Sequence, residues 1–117
     1  AVRRGAQILM NLTNDAWYGD TGGPYQHLEI SRWRAIELRV PLVRAANTGV
    51  SAAFDATGAD KGMIPLNTEG YLTVIVQPMR SLTIYAKYGD FFAWISVVAA
   101  FCVLIFIYFK NIRRKSR

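Results

Sequence analysis

Residues 91–109 form an unbroken apolar stretch of nineteen residues without a charge, with Ser96 and Cys102 as its most polar members. As a helix rising about 1.5 Å per residue, it would span roughly 28 Å, close to the hydrocarbon thickness of a bilayer. Trp94 and Tyr108 lie toward its two ends, where amphipathic rings favour the membrane interface. A buried core helix would need a much larger protein to cover it on every side. The stretch therefore predicts a transmembrane helix over residues 89–109.

The basic residues are concentrated behind this span. The formal net charge is +6, and Lys110, Arg113, Arg114, Lys115 and Arg117 supply five of the positive charges. Because the rest of the chain is nearly balanced, it offers no clustered basic face for phosphates, which excludes a nucleic-acid partner. The positive-inside rule predicts that the tail, residues 110–117, is cytoplasmic and contacts anionic lipid headgroups. The folded part is then extracytoplasmic.

The residues that could form a binding or catalytic site are concentrated in residues 11–27. Asn14, Asp15 and Gly19 surround the two aromatic residues Trp17 and Tyr18. Asn, Asp and Gly favour turns, because they hydrogen-bond locally or tolerate positive φ. The pattern has two interpretations: a surface loop that contacts a ligand, or an ordinary turn whose aromatic rings pack on the core.

The remaining pattern predicts one helix between short strands, which is typical of an α/β or layered α+β domain. The helix over residues 26–39 has one face made of Leu28, Ser31, Ala35 and Leu38. The segment 6–12, a nearly continuous apolar run, predicts a strand buried on both faces. Further strands are predicted at residues 42–46, 50–55 and 71–76, with turns at 47–49 and 57–62.

The sequence contains no complete set of catalytic residues that could be recognised from their types and spacing. Cys102, the single cysteine, lies in the apolar stretch and is expected to be a small hydrophobe rather than a nucleophile. His27, the single histidine, is expected to be a hydrogen-bonded structural residue, because no partner nucleophile is evident. One histidine without ligand-spaced cysteines leaves too few donors for a metal site. No cofactor is expected.

Two motifs resemble a known family. The segment 14–19 (NDAWYG) and the segment 23–27 (GPYQH) resemble the NDAWFG…GPxQH signature of bacterial apolipoprotein N-acyltransferases. The similarity continues through residues 34–38, 41–49 and 85–90 and so covers nearly the whole chain. These enzymes carry a nitrilase-like (carbon-nitrogen hydrolase) domain between membrane helices.

The resemblance implies a fold, a reaction and a set of substrates. Residues 1–88 would be the carboxyl-terminal part of a nitrilase-like layered sandwich of the αββα type, followed by the transmembrane helix. The reaction would move an acyl chain from a phospholipid, through a Cys thioester, to the diacylglyceryl-cysteine of an apolipoprotein. The location would be the bacterial inner membrane, with the folded part in the periplasm. The partners would be the phospholipid donor, the apolipoprotein acceptor and the lipid bilayer.

The same resemblance places the family's catalytic Glu, Lys and Cys before Ala1, so no catalytic residue is expected in this chain. It implies substrate-binding roles for Asn14, Asp15, Trp17, Tyr18, Gly19 and His27. Two alternatives stay open: a non-enzymatic single-pass membrane protein with a small extracytoplasmic binding module, and an inactive truncated product. The reading frame upstream of Ala1 would distinguish them, since a Cys-containing segment there supports the enzyme.

Overall fold

The computed structural model describes residues 1–79 and 82–115. It contains β1 (Leu9–Asn14), α1 (Gly23–Leu38), β2 (Leu42–Asn47), β3 (Ser51–Phe54), β4 (Asp60–Ile64), α2 (Ile84–Tyr88) and α3 (Phe91–Lys115). Two one-turn 3-10 helices, Val2–Arg4 and Ala16–Tyr18, precede and follow β1. Ser116 and Arg117 of the predicted cytoplasmic tail lie outside the described residues. The chain divides into two compact units, Ala1–Lys87 and Tyr88–Arg117.

The first unit is built on one mixed sheet with strand order β1-β2-β3-β4. β1 and β2 are parallel and pair in register from Leu9 with Leu42 to Asn14 with Asn47. α1 makes the crossover between them, as parallel neighbours require. β2, β3 and β4 then form an antiparallel meander. The α/β class is confirmed, and these residues form one sheet and one helical layer of the predicted αββα sandwich.

The core lies between α1 and the sheet. Its buried cluster consists of Leu28 and Ala35 from α1 with Leu42, Val50, Ala52 and Phe54 from the strands and turn. The predicted helix face is largely correct, because Leu28, Ser31 and Ala35 are buried. The helix begins three residues earlier than predicted, since Pro24 is well tolerated in a first helical turn.

The prediction for β1 was wrong in one respect. The strand covers Leu9–Asn14, and its exposure alternates instead of being low throughout. Met10 and Leu12 are each 74% exposed, because they lie on the face of β1 that points away from α1, and no described residue covers that face. The period of two is the signature of a strand with one packed face.

Two further differences concern residues 57–76. β4 forms at Asp60–Ile64, where a turn was expected, and its register against β3 shifts at Ala53 and Phe54. Residues 71–76, which were predicted as a strand, belong to no helix and pair with no strand among the described residues. β-branched and aromatic residues favour an extended backbone, but a strand also needs a neighbouring backbone to bond.

The second unit consists mainly of α3. One window of it, Phe91–Tyr108, is long and apolar enough to cross a membrane, and none of its residues is buried. The helix continues to Lys115, beyond the predicted end of the span. The apolar carboxyl-terminal helix expected from the sequence is therefore present.

Candidate functional site

The loop between β1 and α1 is a tight, internally bonded turn. Asn14 Oδ1 accepts a hydrogen bond from the Ala16 amide at 3.0 Å, and the Tyr18 amide donates to the Asp15 carbonyl at 3.0 Å. Gly19 then takes φ 57° and ψ −156°, a conformation essentially restricted to glycine. These bonds close the one-turn helix Ala16–Tyr18 and give the loop a defined shape.

Two aromatic side chains form the outer surface of this turn. Trp17 is 82% exposed and meets Tyr18 edge to face at 5.5 Å between ring centroids. Tyr18 meets the His27 ring in the same manner at 6.0 Å. A Cβ on Gly23 would lie only 2.4 Å from Tyr18 Cδ1, so the start of α1 approaches the Tyr18 ring closely. The rings of Trp17, Tyr18 and His27 thus form a continuous row, here called the aromatic row.

Beneath the turn lies a buried ion pair. Arg44 Nη2 donates to Asp15 Oδ2 at 2.5 Å, and both side chains are fully buried. Arg44 also donates through Nη1 to Ser31 Oγ at 3.0 Å and through Nε to the Val50 carbonyl at 3.2 Å. A buried charge of this kind is stable only when it is paired and its remaining donors are bonded. Arg44 meets that requirement with partners on three separate parts of the fold.

His27 connects this ion pair to the aromatic row. Its Nδ1 lies 2.9 Å from Asp15 Oδ1, and its side chain is 29% exposed. An ionised carboxylate only accepts hydrogen bonds, so Nδ1 carries the proton in this contact. In neutral His27 the other nitrogen, Nε2, is then an acceptor. Nε2 has no hydrogen-bond partner within the described part of the chain.

Ser31 and Asn11 complete the network. Ser31 Oγ accepts from Asn11 Nδ2 at 2.8 Å and donates to the His27 carbonyl at 3.1 Å. Every buried side-chain nitrogen and oxygen in the described ranges has a hydrogen-bond partner. β1, α1 and β2 are thereby joined by polar contacts at the end where the loop emerges.

A second charged cluster lies away from this loop, in the turn after β3. Asp55 Oδ1 accepts from the Thr57 hydroxyl at 2.6 Å, the Thr57 amide at 2.8 Å and the Ala59 amide at 3.0 Å. Lys61 Nζ lies 3.2 Å from Asp55 Oδ2. The Thr57 hydroxyl, followed by the two amides and Lys61, holds the pKa of Asp55 well below its usual range.

Comparison with known proteins establishes the family. The family model for carbon-nitrogen hydrolases matches residues 1–84. The chain belongs to the carbon-nitrogen hydrolase family. Within that family it is a homologue of apolipoprotein N-acyltransferases. The protein of that name from Geobacter metallireducens is 45% identical over 115 residues, which are 98% of this chain and 21% of the relative.

Other relatives give the same result. The apolipoprotein N-acyltransferase of Bradyrhizobium diazoefficiens is 48% identical over 97 residues, 83% of this chain and 18% of its own length. That of Rickettsia prowazekii is 42% identical over 99 residues, 84% of this chain and 20% of its own length. The chain therefore spans about a fifth of the length of these relatives.

The structure brings the predicted site residues of this carbon-nitrogen hydrolase homologue together in one place. Trp17, Tyr18 and His27 form the aromatic row, while Asn14 and Gly19 shape the turn that carries it. Asp15 differs from the others, because it is only 2% exposed and its carboxylate contacts other protein groups.

Sequence reasoning missed two residues that contact Asp15: Arg44, which pairs with its carboxylate, and Gly49, where a Cβ would lie 2.4 Å from Oδ2. It also missed the polar contacts of Ser31 and Asn11, which extend the network from Arg44. Arg44 itself could have indicated the buried ion pair. It shares its strand face with Leu42, so a charged residue stands where the period of two places a buried one. Such a residue requires a buried anion as partner. Among the described residues no group of His, Cys, Asp and Glu could hold a metal ion, and the described cysteine, Cys102, lies in α3.

Proposed function

We propose that this chain forms the carboxyl-terminal part of an apolipoprotein N-acyltransferase. That enzyme transfers an acyl chain from a phospholipid to the amino group of the diacylglyceryl-cysteine that begins an apolipoprotein. The observation that carries the proposal is the 45% identity to an apolipoprotein N-acyltransferase over 98% of this chain. The exposed aromatic row and the apolar helix α3 support it, because both suit substrates with long acyl chains.

The reaction proposed has two half-reactions. A cysteine thiolate outside this chain attacks the phospholipid ester, which forms a thioester and releases a lysophospholipid. The acceptor amine then attacks the thioester carbonyl, so that a C–N bond forms and the thiolate leaves. The residues of this chain bind and orient the substrates.

We assign the substrate contacts to the aromatic row. Trp17 and Tyr18 offer apolar ring surface to an acyl chain or to the lipid part of the acceptor, and the Nε2 of His27 accepts a hydrogen bond from a polar group of the substrate. Asn14 and Gly19 act by shaping the turn.

The membrane arrangement that we propose is supported by α3 and by its flanking charge. Residues 89–109 cross the inner membrane, residues 1–88 lie in the periplasm and residues 110–117 lie in the cytoplasm. The positive charges after the span favour this orientation. A transmembrane helix in the same chain tethers the substrate-binding domain to the bilayer, where both lipid substrates are located.

The activity is tested by comparing two proteins in the same membranes. One is the product of the complete reading frame that contains this sequence, and the other is residues 1–117 alone. With phospholipid and a diacylglyceryl lipopeptide, we expect the longer product to add the mass of one acyl chain to the peptide. We expect the shorter chain to add none, because its one thiol, Cys102, lies in α3. Absence of N-acylation by the longer product would refute the proposed function.

The orientation is tested by labelling single cysteines at Thr21 and Ser116 in a Cys102→Ala background. A membrane-impermeant thiol reagent should label position 21 in spheroplasts and should reach position 116 only after the membrane is permeabilised. The reverse pattern would show that the folded part is cytoplasmic.

A further inference from the structure

Asp15 belongs to two environments at once. Its carboxylate is buried against Arg44 and His27, while its backbone carbonyl accepts the Tyr18 amide that closes the exposed turn. Its own amide donates to the Asn47 carbonyl at 3.3 Å, which ties it to the end of β2. Only one residue, Ala16, separates this fixed point from Trp17. Any displacement of Asp15 must therefore move the turn.

Arg44 fixes the carboxylate from one side. Its three hydrogen bonds go to Asp15, to Ser31 on α1 and to the Val50 carbonyl before β3. A guanidinium is planar and holds its donors in a rigid fork, so three partners in different directions define its orientation. Neither Arg44 nor Asp15 reaches the surface.

Gly49 bounds the carboxylate from another side. A Cβ at this position would lie 2.4 Å from Asp15 Oδ2 and 2.8 Å from Asp15 Cβ. The φ of Gly49 is not in the left-handed region, so the backbone itself does not require glycine. The close approach of Asp15, together with that of the Ala46 Cβ at 2.9 Å, is what excludes a side chain here. The carboxylate is thus bounded by Arg44, His27 and Gly49, and Oδ1 also accepts a hydrogen bond from the Thr13 hydroxyl at 3.4 Å.

The geometry points to Asp15 and Arg44 as positioning residues for substrate handling. Arg44 holds the Asp15 carboxylate against Gly49. Asp15 in turn fixes the turn that carries Trp17 and Tyr18 through its backbone, and it fixes the His27 ring through Oδ1. The effect on substrate rests on the proposed function, whereas the effect on the turn does not.

The test uses Gly49→Ala in the complete enzyme, reconstituted in phospholipid nanodiscs. This change keeps both charges and places a methyl group against the Asp15 side chain and the Ala46 Cβ, with its shortest contact to the carboxylate. We expect amide hydrogen exchange to accelerate at least tenfold in a peptide covering residues 16–23, where the Tyr18 amide bonds to Asp15. We expect exchange in residues 28–38 of α1 to change less than twofold. Gly70→Ala is the matched control, because its Cβ would meet Ile64 only at 3.8 Å.

Asp15→Asn combined with Arg44→Met is the second variant, because it keeps the size of the Asp15 side chain and removes both buried charges together, so that neither is left without its counterion. If Gly49→Ala fails to accumulate, the exchange comparison is made with this double variant. In either variant we expect the KM for phospholipid to rise at least fivefold, while kcat stays within twofold of wild type. A general acceleration of exchange across α1, β2 and the turn would assign the pair a purely structural role and overturn the inference. An unchanged turn peptide would overturn it as well. Local acceleration in a protein without acyl transfer would support the positioning role and refute the proposed function.

Discussion

Arg44 on β2 and Asp15, the residue after β1, form an ion pair at 2.5 Å in which neither side chain is exposed to solvent. The two residues are 29 positions apart in the chain. The pair joins the two parallel strands beneath the loop that bears Trp17. Its consequences for stability are distinct from its consequences for substrate handling, and they are measured separately.

Removing one partner of the pair should destabilise the fold strongly. We expect Arg44→Met to lower the free energy of unfolding by about 3–5 kcal/mol, because the Asp15 carboxylate is left buried without its counterion. The double variant Asp15→Asn with Arg44→Met should recover part of that loss. The measurement is thermal midpoint and membrane abundance of both variants. Arg34→Met is the control, since Arg34 and Glu37 form an exposed pair whose loss costs about 1 kcal/mol or less. Equal losses for Arg44→Met and Arg34→Met would contradict the prediction.

Trp17→Ala should lower turnover without affecting folding. Truncating a buried tryptophan to alanine lowers the free energy of unfolding by about 3–5 kcal/mol. Trp17 is 82% exposed, so its truncation removes few packing contacts. We expect the thermal midpoint to stay near wild type and the rate of acyl transfer to a lipopeptide to fall at least tenfold. Trp33→Ala is the matched control, because Trp33 is also exposed but lies on α1 away from the turn. Unchanged transfer by Trp17→Ala would remove the turn from the substrate path, and a collapsed midpoint would make Trp17 a core residue.

The two nitrogens of His27 can be separated by isosteric amides. The side-chain amide of Asn can replace Nδ1, and that of Gln can reach the position of Nε2. We expect His27→Asn to keep the bond to Asp15 and a normal thermal midpoint but to lose most acyl transfer. We expect His27→Gln to lower stability by about 1.5–3 kcal/mol, the value of a hydrogen bond to a charged group, and to retain more transfer than Asn. Full activity of His27→Asn would show that Nε2 has no role in substrate binding.

Asp55 should contribute stability that depends on pH. Its pKa is lowered in the folded state, chiefly by the Thr57 hydroxyl, so its contribution is complete above the unfolded value of about 3.9. That contribution is lost as the pH falls below 3.9 toward the folded value. We expect Asp55→Asn to have a lower thermal midpoint than wild type between pH 5 and 7, with a difference that narrows toward pH 3. Glu69→Gln, at an exposed position, should match wild type at pH 7. A difference that grows on acidification would contradict this sign.

The sequence predicted the elements whose signals are local. The helical face of Leu28, Ser31 and Ala35 and the apolar stretch that became α3 both depend on periodicity within one segment. The residues around Trp17 correctly predicted a turn, since propensity for positive φ and local hydrogen bonding is a property of each residue, but they left open whether its aromatic rings are exposed or buried.

The features that sequence reasoning missed depend on contacts between distant segments. Residues 71–76 have strand-forming side chains but no ladder partner, and β4 pairs with β3 despite a glycine, Gly62, in its centre. The exposed face of Met10 and Leu12 depends on which face of the sheet other segments cover. From its residue type, Asp15 was expected only to form a turn. That its carboxylate is buried becomes evident only from its ion pair with Arg44.

The parallel pairing of β1 with β2 also has a consequence for the order of folding. β2, β3 and β4 are joined by short turns, so their hairpins close quickly and at little entropic cost. β1 reaches β2 only after the whole of α1 has been accommodated, and contacts of long sequence separation form late. We therefore expect Arg44 to remain hydrated in an early β-meander until Asp15 arrives. The segment that bears Trp17 would then acquire its native shape in the last stage of folding.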